Sequence, residues 1–165
     1  MSEFLSHSRI SQKRFTDYFD SKDELLGVTI CAGTVQLQAS LRDLAEDVAV
    51  DPTRVLGACM DKLCSSMSQG FIPEGLGSEV LSYYPDDHPV HETAVACKRV
   101  LITLLEDLCC QASIENPARV AHQLLMIAEG SFTLRHFVGA KVSRKLGIHT
   151  AGCLIAAFPK QEGSR

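Results

Sequence analysis

The stretch ISQKRFTDYFDSKDELL, residues 10–26, predicts two helix starts within a short distance of each other. Ser11 is a good N-cap residue, so a short helix is expected to carry the polar and basic residues that follow it in its first turn. Ser21 and Glu24 have the spacing of a capping box, in which each side chain accepts a hydrogen bond from the other residue's backbone amide. A second and longer helix should therefore begin at about residue 21.

Apolar residues after that capping box follow the 3.6-residue period of a helix roughly 40 Å long. They are Leu26, Ile30, Leu37, Leu41, Leu44 and Val48. Asp51 and Pro52 predict the next helix start, because Asp is a good N-cap and Pro suits the first helical position. Asn116 and Pro117 repeat this signature.

The rest of the chain predicts an all-α fold. Residues 69–89 are rich in Gly and Pro and are expected to turn repeatedly, with at most a short helix at 78–84, whereas helices are predicted at 90–112, 117–138 and 142–158. The helix at 117–138 is apolar on more than one stripe, so it should pack on more than one side. The last helix carries small residues that permit close packing, namely Gly147, Ala151, Gly152 and Ala156.

Composition indicates a globular chain in a reducing compartment. The 165 residues suit one domain, and the net charge of −4 argues against a chain wrapped in nucleic acid. Seven cysteines without a C-x-x-C pair favour small buried thiols over a zinc site, with a thiol redox sensor as the alternative. The longest uncharged run, residues 25–41, is shorter than the roughly 20 residues of a membrane helix, and no signal peptide precedes it. We therefore predict a cytoplasmic protein without a membrane partner.

The opening stretch resembles the end of the helix-turn-helix, and the helix start that follows it, in TetR-family transcriptional regulators. The matching residues are Ile10, Ser11, Phe15, Tyr18, Phe19, Ser21, Lys22, Asp23, Leu25 and Leu26. The segment NPARVAHQLLMIAEGSF, residues 116–132, is similar to the family's penultimate helix. The resemblance implies a DNA-binding segment at residues 1–20 and a helical effector-binding and dimerisation domain at residues 21–165.

The resemblance implies DNA contacts from the predicted recognition helix and the turn after it. The candidate residues are Ser11, Gln12, Lys13, Arg14, Thr16, Tyr18 and Lys22. Thr16 replaces a usual phosphate-contacting Tyr, Asp17 adds repulsion toward phosphates, and Arg9 replaces a turn Gly. The family also carries a first helix and the start of a second before this point, for which only residues 1–8 are present. Residues 1 to about 20 are therefore expected to be mobile or displaced, and specific operator affinity to be poor.

The function implied is that of a homodimeric regulator, expected to be a repressor, that binds operator DNA if the helix-turn-helix is complete and responds to a small apolar or amphipathic effector. The alternative is a truncated relative that does not bind DNA and acts only as a dimeric ligand-binding module. The dimer is expected to form through the helices at 117–138 and 142–158. The candidate effector residues, which are equally suited to an ordinary core, are Met60, Leu63, Met67, Phe71, Tyr83, Tyr84, Cys97, Leu101 and Phe132.

No catalytic residue, metal or cofactor is predicted. The chain lacks the motifs of the common hydrolases, the phosphate loop and the dinucleotide fingerprint, so an enzyme has no candidate residues. The segment DDHPVHE, residues 86–92, places two histidines one helical turn apart among acidic residues, a spacing that suits a divalent ion. A helix N-terminus is the favoured interpretation, since acidic residues complement the helix dipole and Pro89 suits the first turn.

Overall fold

Six helices account for most of residues 11–47, 51–69 and 80–158, which are the parts of the chain that the computed structural model describes. They are α1 (Gln12–Thr16), α2 (Lys22–Asp47), α3 (Pro52–Gln69), α4 (Pro89–Gln111), α5 (Pro117–Val138) and α6 (Ala140–Ala157). A further helical turn at residues 80–83 precedes α4. The described ranges contain no β-strand, so the all-α prediction is confirmed.

Local signals set most of the helix starts. Asp51 accepts a hydrogen bond from the Thr53 amide at 2.9 Å, so it caps α3 as predicted. Asn116 does not cap α5: its backbone is left-handed, with φ at 56°, and its side chain makes no capping hydrogen bond. A capping residue needs extended backbone to aim its side chain at the first amides, whereas Asn116 uses its tolerance of positive φ to make the turn into Pro117.

Helix α3 lies at the centre of the bundle, packed against α2, α4, α5 and α6. Its side chains at Leu56, Cys59, Leu63 and Cys64 have no exposed surface. Helix α5 packs against α3, α4 and α6. Its buried residues therefore spread over a wide arc that includes Val120, Ala121, Leu124, Leu125, Ala128 and Phe132. The apolar stripes of the sequence therefore correspond to the core.

A second, smaller apolar cluster joins the first half of α2 to the start of α4. It consists of Ile30, Val80, Val90, Ala94 and Cys97, with Leu26, Leu81 and Tyr84 packed against it. This cluster fixes the part of α2 that follows α1 along the chain.

Helix α6 begins two residues before the predicted position. Gly139 has φ at 84° and turns the chain from α5 into α6 in a single residue. The small residues of α6 divide into two faces: Gly147 and Ala151 are buried inside the chain, while Gly152 and Ala156 are exposed. Only two of the four predicted small residues therefore pack α6 against the other helices of the same chain.

None of the helices in the described ranges combines the length and the apolar character needed to cross a lipid bilayer.

Candidate functional site

Helix α1 holds the candidate DNA-binding side chains at the surface. Ser11 caps it as predicted, since its hydroxyl accepts a hydrogen bond from the Arg14 amide at 3.2 Å. Phe15 anchors the helix from beneath with 3% of its surface exposed, and its ring centroid lies 5.7 Å from that of Phe19. Gln12 and Lys13 are exposed in the same turn as Arg14. Because Phe15 is buried, these three polar side chains lie on the side of α1 that faces solvent.

The other candidates also lie on the surface of this segment. Lys22 is exposed at the start of α2, and Tyr18 is 72% exposed in the turn before it. The Thr16 hydroxyl donates to the Lys13 carbonyl oxygen at 3.0 Å, so it has to rotate before it can reach a phosphate. All seven candidate residues lie between 11 and 22 and are exposed. Arg9 and Ile10 lie outside the described residues.

The capping arrangement at the start of α2 differs from the predicted one by one residue. The Glu24 amide donates to the Ser21 hydroxyl at 3.0 Å, as expected. The Glu24 carboxylate, however, accepts from the Asp20 amide at 2.6 Å instead of the Ser21 amide. These two hydrogen bonds therefore join the turn before α2, at Asp20 and Ser21, to Glu24 in the first turn of α2.

Asp23, in the first turn of α2, ties that turn to the start of α4. The Tyr84 hydroxyl donates to Asp23 Oδ1 at 2.8 Å, and His88 Nε2 lies 3.6 Å from Asp23 Oδ2. The hydrogen bond to the carboxylate raises the pKa of Tyr84, because it stabilises the neutral phenol. The Tyr84 and His88 rings lie 4.4 Å apart between centroids. The first turn of α2, which directly follows the candidate DNA-binding segment, is thus bonded to the region where α4 begins.

The histidines of the DDHPVHE segment are engaged with the backbone. His88 Nδ1 accepts from the Val90 amide at 3.2 Å, so His88 is the N-cap of α4. Since Nδ1 is an acceptor there, the ring proton is assigned to Nε2, which faces Asp23. His91 Nδ1 lies 3.0 Å from the Tyr84 carbonyl oxygen. The residues described include no group of three or more side chains arranged to hold a metal ion.

The candidate effector residues fall into separate environments. Met60, Leu63, Leu101 and Phe132 belong to the large core. Cys97 is in the smaller cluster, Tyr84 packs against it, and Tyr83 is 84% exposed. Phe71 and the Met67 side chain lie outside the described residues. The effector site stays a prediction.

Two open grooves run along the contact between α2 and α4, and neither is lined by a candidate effector residue. The larger has a volume of about 870 Å³ between the first halves of the two helices, and Val28, Cys31 and Val35 are among its lining residues. The other, of about 540 Å³, has Arg42, Glu46 and other polar residues in its walls. Sequence patterns carry no signal for either groove, because each is formed by residues far apart along the chain.

Exposed apolar side chains form a further feature on α5 and α6. Phe137 is 86% and Met126 71% exposed on α5, while Val142 and Leu146 are each nearly half exposed on α6. On a helical wheel, the two residues of each helix lie on the side opposite its buried residues. These residues of α5 lie outside its two predicted apolar stripes, whose buried residues face the core, and the chain itself does not cover them.

Among solved structures, the chain shares its fold with a TetR-family transcriptional regulator from Streptomyces coelicolor. The TM-score is 0.77 with 12% sequence identity, and the match covers 94% of this chain and 82% of that chain. No family model and no curated protein sequence matches the chain. The TetR-like fold predicted from the N-terminal motif is confirmed by this structural likeness.

Proposed function

We propose, on the basis of this shared fold, that the chain is a TetR-like transcriptional regulator that contacts DNA through α1 and the turn that follows it. The observation that carries the proposal is the exposed first turn of α1, where Gln12, Lys13 and Arg14 lie above the buried Phe15. Helix α1 is joined to the long helix α2 by a short turn. The first turn of a recognition helix is the part that reaches base edges and phosphates. Cations at this position also supply the electrostatic part of DNA affinity.

Replacing both Lys13 and Arg14 with alanine is expected to weaken DNA binding at least tenfold. Each lost phosphate contact also lowers the slope of log affinity against log salt by about 1, so the double variant should depend less steeply on salt. The probe is a set of duplexes selected from a random library by the unaltered protein, and the measurement is fluorescence anisotropy across a salt series.

The matched control replaces Arg42 and Arg54, which are exposed on α2 and α3, with alanine. It removes the same formal charge and should leave affinity within a factor of about two, because salt screens charges that lie more than a Debye length from the DNA. If both variants lost the same DNA affinity, Lys13 and Arg14 would act only through their charge and would not mark a specific contact. If the unaltered chain selects no duplex even at low salt, the DNA-binding proposal is wrong.

We further propose that the chain forms a homodimer through α5 and α6. Four exposed apolar residues support this, namely Met126, Phe137, Val142 and Leu146. Large apolar side chains left exposed on two neighbouring helices favour an interface. A two-fold axis beside antiparallel α5 and α6 would bring four helices together. The test of the interface needs an exposed position, because a charge at a core residue of α6 such as Ile155 would disturb folding instead.

Replacing Leu146 with glutamate is expected to convert the dimer to a monomer at micromolar concentration. A charge inside an apolar interface loses hydration without gaining a partner, which costs several kcal/mol. Light scattering coupled to gel filtration measures the mass. Val35→Glu, at an exposed valine on α2, is the control and should remain dimeric. A monomeric unaltered chain would contradict the dimer proposal.

An effector of small apolar or amphipathic character completes the proposed function. The link from Asp23 to Tyr84 and His88 supports it. This link connects the start of α2, next to the candidate DNA-binding segment, to the region where α4 begins, so a ligand that moves α4 would also move the start of α2. An effector acts by binding one orientation of α2 more tightly than another. A compound screen by thermal unfolding tests this part, because a ligand of the native state raises the Tm.

A further inference from the structure

Cys31 and Cys97 form a pair of thiols between two helices that are distant in sequence. Their Sγ atoms lie 3.9 Å apart, with Cys31 on α2 and Cys97 on α4. Cys31 is exposed and lines the larger groove, whereas Cys97 is buried in the small apolar cluster beneath it. One thiol of the pair is therefore open to a reagent, and the other is positioned to react with what the first one forms.

We infer that Cys31 and Cys97 are an oxidisable dithiol that a low-molecular-weight disulfide, such as oxidised glutathione, converts to an intramolecular disulfide joining α2 to α4. The Cys31 thiolate attacks one sulfur of the small disulfide, forms a mixed disulfide and releases one thiolate. Cys97, losing its proton, then attacks Cys31 Sγ, and the second small thiolate leaves. Two protein thiols are oxidised and one small disulfide is reduced to two thiols.

The arrangement favours this pair over the other cysteines in the described ranges. Cys59, Cys64 and Cys109 are buried and closed to a reagent. Cys109 and Cys110 are consecutive on α4, so their side chains point about 100° apart around the helix. The groove beside Cys31, at about 870 Å³, has room for a tripeptide disulfide.

The raised pKa of Cys31 limits the rate of thiol–disulfide exchange at neutral pH. Partial burial and the neighbouring Cys97 raise the pKa of Cys31, which keeps its thiol mostly protonated at neutral pH. Since the thiolate is the nucleophile, exchange at pH 7 should be slower than at an activated thiol and should accelerate as the pH rises. The site thus suits a slow response to sustained oxidation.

The test treats a chain carrying Cys110→Ser and Cys153→Ser, which removes the two other exposed thiols, with oxidised glutathione at pH 8. The expected product has lost two hydrogens, carries no glutathione and yields a Cys31–Cys97 cross-linked peptide on non-reducing digestion. The disulfide closes a loop between positions 66 residues apart, so it should raise the Tm by about 5–10 °C. Reduction with dithiothreitol should reverse this increase.

Two variants separate the steps. Adding Cys97→Ala should leave glutathione permanently attached to Cys31, because no second thiol displaces it. Adding Cys31→Ser should prevent both products. A chain with an intact pair that retains glutathione, or that forms a disulfide between other cysteines, would overturn the inference. None of these measurements uses DNA, so the outcome is independent of the proposed regulatory function.

Discussion

Replacing Gly147 with valine is expected to lower the free energy of unfolding by about 3 kcal/mol or more. A Cβ atom at this position would overlap Ser131 Oγ on α5 and come within 3.0 Å of Cys64 Sγ on α3. Neither neighbour moves freely, because Ser131 donates to the Ile127 carbonyl oxygen at 2.9 Å and Cys64 is fully buried. Urea unfolding followed by circular dichroism measures the loss.

Gly152→Val is the matched control, since Gly152 lies on the same helix and a Cβ atom added there would have no neighbouring atom within 4 Å. That change should be neutral or slightly stabilising, because valine has a better helix propensity than glycine. Combining Gly147→Ala with Ser131→Ala should recover part of the loss caused by Gly147→Ala alone, giving a coupling energy of about 0.5–3 kcal/mol. Equal effects of valine at 147 and 152 would show that α6 does not pack as closely as described.

The helices were predictable because their signals are local. Ser11 and Asp51 cap helices where the sequence placed them, and the Leu37 and Leu41 side chains are buried on the predicted face of α2. Capping and the 3.6-residue period depend on residues within one or two turns of each other, so they can be read without knowledge of the fold.

The capping predictions are wrong at two positions, because the backbone conformation decides which hydrogen bond a side chain can make. Asn116 has the identity of a capping residue, but a left-handed backbone directs its side chain away from the amides of α5. Glu24 reaches the Asp20 amide because the turn before α2 folds back toward it. Residue identity alone does not fix these backbone angles.

Only the part of the candidate site that depends on neighbouring residues could be predicted from the sequence. The exposed first turn of α1 follows from a contiguous motif, whereas the contacts of Asp23 on α2 with Tyr84 and His88 do not. Asp23 and Tyr84 are separated by 61 positions, and Cys31 and Cys97 by 66. Contacts at such separations depend on how α2 crosses α4, which no periodicity in either helix specifies.

The buried thiols lead to the second large expected effect, a loss of stability in alkali. Burial raises the pKa of Cys59 from its ordinary value of 9.0 to about 11 and that of Cys109 to about 12. Both side chains have no exposed surface. In the unfolded chain both thiols ionise near pH 9, whereas in the folded chain they stay protonated. Above pH 9 the unfolded state therefore binds fewer protons, and stability falls as the pH rises.

Between pH 8 and pH 10 these two thiols together should remove roughly 3 kcal/mol from the free energy of unfolding, because each contributes nearly 1.4 kcal/mol per pH unit once its unfolded form is ionised. Urea unfolding at the two pH values measures the difference. Replacing Cys59 and Cys109 with alanine costs stability at pH 8 by leaving cavities, yet it should flatten the pH dependence by that amount. The control, Cys110→Ala with Cys153→Ala, removes exposed thiols and should keep the slope of the unaltered chain. An unchanged slope after removal of the buried pair would mean that water reaches these thiols in the folded protein, since only a solvated thiolate can form inside the bundle at pH 10.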